Sequence, residues 1–237
     1  MSATDVPDDG TRPNIVLIYT DDQGYGDASA LNPRSKFETP NVDRIAAEGV
    51  SFSDGHCPDT VCTPSRYGLL TGRYCWRTEL KRRVIGAERE CLIDPGRVTL
   101  PGLLSRHGYR TAMTGKWHLG MQFPGEKGDR EWSEPVSDGP TDYGFDYFFG
   151  LPASMNFGAL AWFEGRHPRE PPTMWTRKTE NELAIDDYRI RPPYSETRET
   201  PEDLEVAPNF VDREALTWIT DSALESFDRL VRNEDST

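Results

Sequence analysis

The sequence predicts an α/β fold, with a mainly parallel central sheet and helices on both faces. Three stretches carry that reading. Residues 14–20, Asn-Ile-Val-Leu-Ile-Tyr-Thr, are an apolar, β-branched run of the kind buried on both faces of a sheet. Residues 99–108 read as a helix, with Leu100, Leu103 and Leu104 on one side and Gly108 as the stop, and residues 109–113 follow as a strand. Residues 212–233 return to helix, with an apolar stripe through Leu216, Ile219, Ala223, Leu224, Phe227, Leu230 and Val231. Helix and strand therefore alternate along the chain.

Composition permits a sizeable core and narrows the partners. The 237 residues suffice for one large domain or two small ones, and 35% of them are apolar. Forty acidic against 27 basic residues leave a net charge of −13, which argues against nucleic-acid and anionic-membrane partners. Residues 1–13 are a polar, acidic leader with neither the basic start nor the apolar segment of a signal peptide, and no run approaches the length of a membrane span. A cytoplasmic location is the default expectation. The cysteines, Cys57, Cys62, Cys75 and Cys91, show no zinc-type pairing, and their even count says little for disulfides in a chain this long.

In order along the chain, the 14–20 run leads into Asp21 and Asp22. Carboxylates at the carboxyl end of a central strand lie where open α/β sheets place ligands, and two adjacent ones call for solvent or a hard cation. Thr39 caps a short helix with Pro40 at its first position, Val42, Ile45 and Ala46 on one face, and Gly49 at its close. Residues 50–53 alternate like a strand. Pro64 then suits the first position of a short helix, with Ser65, Leu69 and Leu70 following at helical spacing and Gly72 as the stop. Cys62 stands at its entrance, where unpaired N–H groups favour negative charge. Cys57 reads as structural. Arg73, Arg77, Lys81, Arg82 and Arg83 make a basic cluster in an acidic chain, either a solvated face or an attractor of anionic substrate.

Further on, Lys116 and His118 are two apart, which in extended backbone aims both side chains to one side. One is a fixed charge and the other an acid/base near neutral pH. Residues 123–142 are loop-like, and residues 145–151 are an aromatic strand. Residues 157–209 are rich in proline and charge, with little periodicity, and read as a long surface excursion.

Cys62-Thr63-Pro64-Ser65-Arg66, followed by Leu70-Thr71-Gly72-Arg73, resembles the first hallmark motif of the sulfatase family. Gly108-Tyr109-Arg110-Thr111 through Gly115-Lys116-Trp117-His118-Leu119-Gly120 resembles the second, at the expected spacing. The text from Thr39 to Phe52 resembles the family's approach to the modified cysteine. The resemblance implies an alkaline-phosphatase-like sulfatase domain, of which residues 14–237 would be the N-terminal portion, truncated before the remaining site residues. It implies that Cys62 is oxidised to formylglycine by a formylglycine-generating enzyme, and that Arg66, Lys116 and His118 are catalytic. Ser154, after the Gly150-Leu151-Pro152 element, would assist His118. Asp21 and Asp22, with Cys62, would hold calcium or alternatively magnesium. The implied activity is hydrolysis of a small-molecule or carbohydrate sulfate monoester. A phosphonate or phosphate ester hydrolase of the same superfamily, and an inactive remnant, stay open as alternatives.

Overall fold

A computed structural model describes residues 12–177 and 190–232. The chain divides into two compact units, residues 1–56 and residues 57–237.

In the first unit, helix α1 (Pro40–Glu48) forms as the sequence expects, with Thr39 before it and Pro40 in its first turn. The Thr39 hydroxyl does not cap the helix in the ordinary way. It donates to Asp43 Oδ1 at 2.9 Å and accepts from the amide of Ser29 at 2.9 Å. Ser29 Oγ donates to Asp43 Oδ2 at 2.6 Å, and the amide of Ala30 donates to Oδ1 at 2.8 Å. One carboxylate thus pins the preceding loop to the helix.

Two strand expectations fail here. Residues 14–20 form no strand, with Ile15 56% and Ile18 74% exposed, and neither do residues 50–53. A run written for burial on both faces takes its stability from the layers that cover it. Its own periodicity does not supply them.

The second unit opens with helix α2 (Cys62–Thr71). Gly72 closes it in the left-handed conformation (φ 64°), donating its amide to the Gly68 carbonyl, as the sequence predicts. Helix α3 (Leu100–Arg106) packs against α2 and is capped by Thr99, whose hydroxyl accepts from the amide of Gly102. Strand β1 (Ala112–Lys116) follows three residues later than expected, because residues 109–111 serve as the connection. A hairpin of β2 (Gly125–Glu126) and β3 (Asp129–Arg130) precedes β4 (Tyr147–Leu151).

The sheet runs β1-β4-β5-β6, where β5 is Phe163–Glu164 and β6 is His167–Pro168. The pair β1–β4 is parallel, from Ala112 opposite Tyr147 to Lys116 opposite Leu151, and the other two ladders are antiparallel. The sheet is therefore mixed, inside an α/β architecture. A separate pair joins β7 (Met174–Thr176) to β8 (Leu204–Val206). Helix α4 (Ala215–Arg232) packs on β1 and β4. Among the described residues no helix is long and apolar enough to cross a membrane.

The stretch 157–209 is corrected by these strands. Leu160, Trp162, Phe163, Leu204 and Val206 are core residues, so the described part of this stretch builds the interior and is no surface excursion; residues 178–189 lie outside the described residues. Its strands are two or three residues long, too short to leave a periodic signature. Aromatic stacking does the joining: Trp162 lies parallel to Phe149 with centroids 5.3 Å apart, and Trp218 of α4 stacks on Trp162 at 6.1 Å.

Two predictions follow from this packing. A Cβ on Gly150 would lie 1.8 Å from the carbonyl oxygen of Gly115, so β1 and β4 touch where a side chain is impossible. Gly150→Ala should cost about 3 kcal/mol or more, the upper end of overpacking penalties. Gly165→Ala, where φ is +59° and no atom lies within 4 Å, should cost about 1 kcal/mol of backbone strain. Urea denaturation compares them, and equal losses would refute the close approach. For Asp43, the hydrogen bonds led by Ser29 hold its carboxyl below the ordinary 3.8. A depressed acid stabilises the fold above its unfolded value and loses that contribution as pH falls through the folded one. The stability gap between wild type and Asp43→Asn should therefore be full at pH 7 and close below about pH 4; a gap that persists to pH 2 would overturn it.

Candidate active site

Helix α2 presents its first turn to the end of β1. Thr63 is fully buried, and its hydroxyl donates to the carbonyl of His118 at 3.0 Å while accepting from the amide of Ile85 at 3.3 Å. Arg66 reaches the same segment, Nη1 donating to the carbonyl of Lys116 at 2.5 Å. The motif helix is thereby fixed to the two residues on either side of Trp117. Cys62 is its first residue, half-buried and in no disulfide.

Beyond β1 and β4 the chain continues in step. The amide of Trp117 donates to the carbonyl of Leu151 at 3.0 Å, and that of His118 to the carbonyl of Pro152 at 2.9 Å. This extension brings Ser154 to the histidine. Lys116 Nζ donates to Ser154 Oγ at 3.2 Å, and Ser154 Oγ lies 3.2 Å from His118 Nδ1. On the far side of the ring, His118 Nε2 lies 2.9 Å from the carbonyl of Ile85. A carbonyl only accepts, so Nε2 carries the proton. In the neutral ring Nδ1 then accepts from the serine hydroxyl, which in turn accepts from the lysine ammonium. The result is a directed chain, Lys116 to Ser154 to His118 to Ile85.

The backbone does not place Lys116 and His118 as the sequence reading supposed. His118 is in the left-handed region (φ 58°), so the pair is not two apart in an extended strand. The turn buries the imidazole completely, against Phe157 with ring centroids 5.1 Å apart. Arg66, Lys116, His118 and Ser154 are joined by hydrogen bonds in the second unit. Asp21 and Asp22 belong to the first unit and are exposed. Among the described residues no group of three or more His, Cys, Asp or Glu is placed to hold a metal ion. Two aspartates have the right hard-oxygen chemistry for calcium but supply only part of the 6–8 oxygens it takes.

The other cysteines are poor nucleophiles or lie outside the motif. Burial pushes the Cys91 thiol up to about 12 and raises that of Cys75 as well. Cys57, read as structural, is exposed. Three participants escape a reading by motif: Thr63, the peptide of Ile85, and Phe157. Ile85 acts through its backbone, which no side-chain pattern records.

The family profile described as Sulfatase matches residues 13–218. An N-acetylgalactosamine-6-O-sulfatase of Bacteroides thetaiotaomicron is 37% identical over 168 residues, which are 69% of this chain and 32% of that protein. Human arylsulfatase A is 40% identical over 146 residues, 62% of this chain and 26% of its own length. The chain thus spans a third or less of these two relatives. A solved structure from the metabolism of multiple glycosaminoglycans by Bacteroides thetaiotaomicron superposes with a TM-score of 0.69 at 28% identity, over 94% of this chain and 49% of that one.

Thr63 offers a direct test of the docking. Thr63→Val keeps the volume but strands the carbonyl of His118 and the amide of Ile85, which should cost about 1–3 kcal/mol. Thr63→Ser should recover most of it. Denaturant titration reads both, and a valine variant within about 0.5 kcal/mol of wild type would show that the hydroxyl does not hold the helix.

Proposed function

The chain belongs to the sulfatase family, and on that premise we propose that it carries the nucleophile side of a site that hydrolyses sulfate monoesters, with formylglycine formed from Cys62. The observation behind this reading is the hydrogen-bonded set Arg66, Lys116, Ser154 and His118, built on the helix that Cys62 begins. Cys62 fits the modification: it is a half-exposed thiol at a helix entrance, free of any disulfide.

Converted to formylglycine, Cys62 would supply a hydrated aldehyde whose hydroxyl attacks sulfur. Arg66 lies one helical turn on, on the same face, and offers a permanent cation to charge developing there. Lys116 holds a second cation against Ser154 Oγ. That charge favours an electron-rich oxygen on the sulfate or on the departing group. A proton released at the nucleophile would be accepted by His118 at Nδ1, the nitrogen that faces Ser154 Oγ, because Nε2 is committed to the Ile85 carbonyl. Asp21 and Asp22 would contribute to a calcium or magnesium site, but as the described residues supply no larger ligand group, no step is assigned to the cation. The names of the relatives support an aryl or carbohydrate sulfate as substrate.

The test is coexpression of the 237-residue chain with a formylglycine-generating enzyme, followed by peptide mass analysis. Conversion is expected at Cys62 and at none of Cys57, Cys75 and Cys91; an intact Cys62 thiol would sink the reading. The converted chain, given calcium and an aryl sulfate, should turn over close to a Cys62→Ala control, since among the described residues two aspartates fall short of a cation's ligands and loss of one stabilising contact costs roughly 10²–10³ in rate. Turnover well above that control would show that two aspartates suffice for the cation.

A further inference from the structure

The imidazole of His118 is gripped by two stretches of chain, and one carboxylate stands between them. The first stretch runs from Ile85 to Glu88: the Ile85 carbonyl takes His118 Nε2, and the Ala87 carbonyl accepts from the amide of Met121 at 3.1 Å. The second is the turn from Ser154 to Gly158, in which the amide of Phe157 donates to the Ser154 carbonyl at 2.9 Å. It carries both the hydroxyl at His118 Nδ1 and the ring against the imidazole. Glu88 ends the first stretch and touches the second. A Cβ on Gly158 would lie 2.5 Å from Glu88 Oε1, so the carboxylate rests on the backbone there, one residue from Phe157.

The other oxygen of Glu88 is held by Arg130 of β3. Arg130 Nη2 donates to Glu88 Oε2, Nη1 to the carbonyl of Gly125 at 2.8 Å, and Nε to Glu205 Oε2 at 3.3 Å. Glu205 Oε1 accepts from the amide of Gly128 at 2.7 Å. The side chains of Arg130 and Glu205 are 5% and 3% exposed, against 31% for Glu88. One cation thus serves two carboxylates, with most of the group out of water. The backbone completes the frame. The Glu205 carbonyl accepts from the amide of Leu160 at 2.8 Å, two residues beyond Gly158.

A buried ion pair adds little net stability over apolar packing of the same volume. What this one supplies is register between the two stretches that grip the imidazole. We propose that Glu88 and Arg130 are positioning residues for His118. Arg130, anchored on Glu205, holds the Glu88 carboxylate against Gly158 and so sets the separation of the Ile85 carbonyl from the Ser154–Phe157 turn. The imidazole keeps its proton on Nε2, and its Nδ1 towards Ser154, only while both stretches stay in place. The action of the pair on His118 passes through Ile85 and Phe157. The catalytic meaning of that orientation rests on the sulfatase reading above; the orientation itself can be measured without any catalysis.

The experiment uses the full chain with Cys62 unmodified and with isotope-labelled histidine. Long-range proton–nitrogen NMR reads the tautomer of His118, assigned with His118→Gln, and the exchange of its Nε2 proton with water. In the wild type the ring should be in the Nε2–H form alone, with slow exchange. Glu88→Ala should speed that exchange about tenfold or more, the measure of one charge-assisted hydrogen bond lost from local stability, and the Nδ1–H form should appear. Glu88→Gln keeps an oxygen for Arg130 and should stay within about twofold of wild type. Arg130→Lys keeps a cation beside Glu205 but cannot bridge two carboxylates, so it should also speed the exchange. Arg169→Met, which breaks a partly exposed pair with Glu164 at 2.9 Å, is the control for general loosening. An unchanged His118 in Glu88→Ala or in Arg130→Lys would overturn the proposal. So would an equal change in Arg169→Met, or a Glu88→Gln variant as disturbed as Glu88→Ala. Each of those results would leave conversion of Cys62 as a separate question.

Discussion

One hydroxyl group holds the candidate site together. Thr63 Oγ1 sits between the carbonyl of His118 and the amide of Ile85, with no exposure to solvent. Ile85 in turn uses its carbonyl on the imidazole of the same histidine. Three segments far apart in sequence therefore close a small ring of hydrogen bonds, and each member satisfies a buried polar group that would otherwise be costly. The orientation of the imidazole, the proton on Nε2 and the seat of the motif helix are all consequences of that closure. Arg66 and Ser154 then act on a histidine that is already fixed.

The packing around this ring explains why it can be rigid. Trp117 is fully buried between Lys116 and His118, and its indole N–H donates to the carbonyl of Gly120 at 2.7 Å. The parallel pair β1–β4 is pressed close at Gly115 and Gly150. The strand exits that carry Lys116, His118 and Ser154 are consequently set by backbone contact and a large aromatic anchor. Little is left to side-chain freedom, which suits groups that must be held within a fraction of an ångström.

Much of this was legible in the sequence, but unevenly. The helix at Cys62, its stop at Gly72, the helix after Thr99 and the long C-terminal helix could be read because capping residues and 3.6-residue periodicity are local signals. The family motifs singled out Arg66, Lys116, His118 and Ser154, and the structure joins these four by hydrogen bonds. What could not be read depends on distant partners. The apolar run at 14–20 has the composition of a buried strand yet stands exposed, since composition does not say what covers it. The stretch 157–209 has the opposite fault: it looks like loop and yet supplies β5 and β6. The Ile85 carbonyl was invisible, because every residue has one.

The ring of hydrogen bonds also bears on when the site can exist. The bonds of the ring and its neighbours span 55 residues from Thr63 to His118, 33 from Ile85 to His118, 50 from Arg66 to Lys116 and 36 from His118 to Ser154. Contacts this distant form late, after the loops between them have been closed. On a growing chain Ser154 emerges roughly 5–20 s after Cys62, at synthesis rates of about 5–20 residues per second. For the first part of that interval, until His118 has been made, Thr63 has no histidine carbonyl to bind. The buried hydroxyl thus ties the seat of the helix to the order of synthesis, since its bond to residue 118 cannot form before that residue has been made.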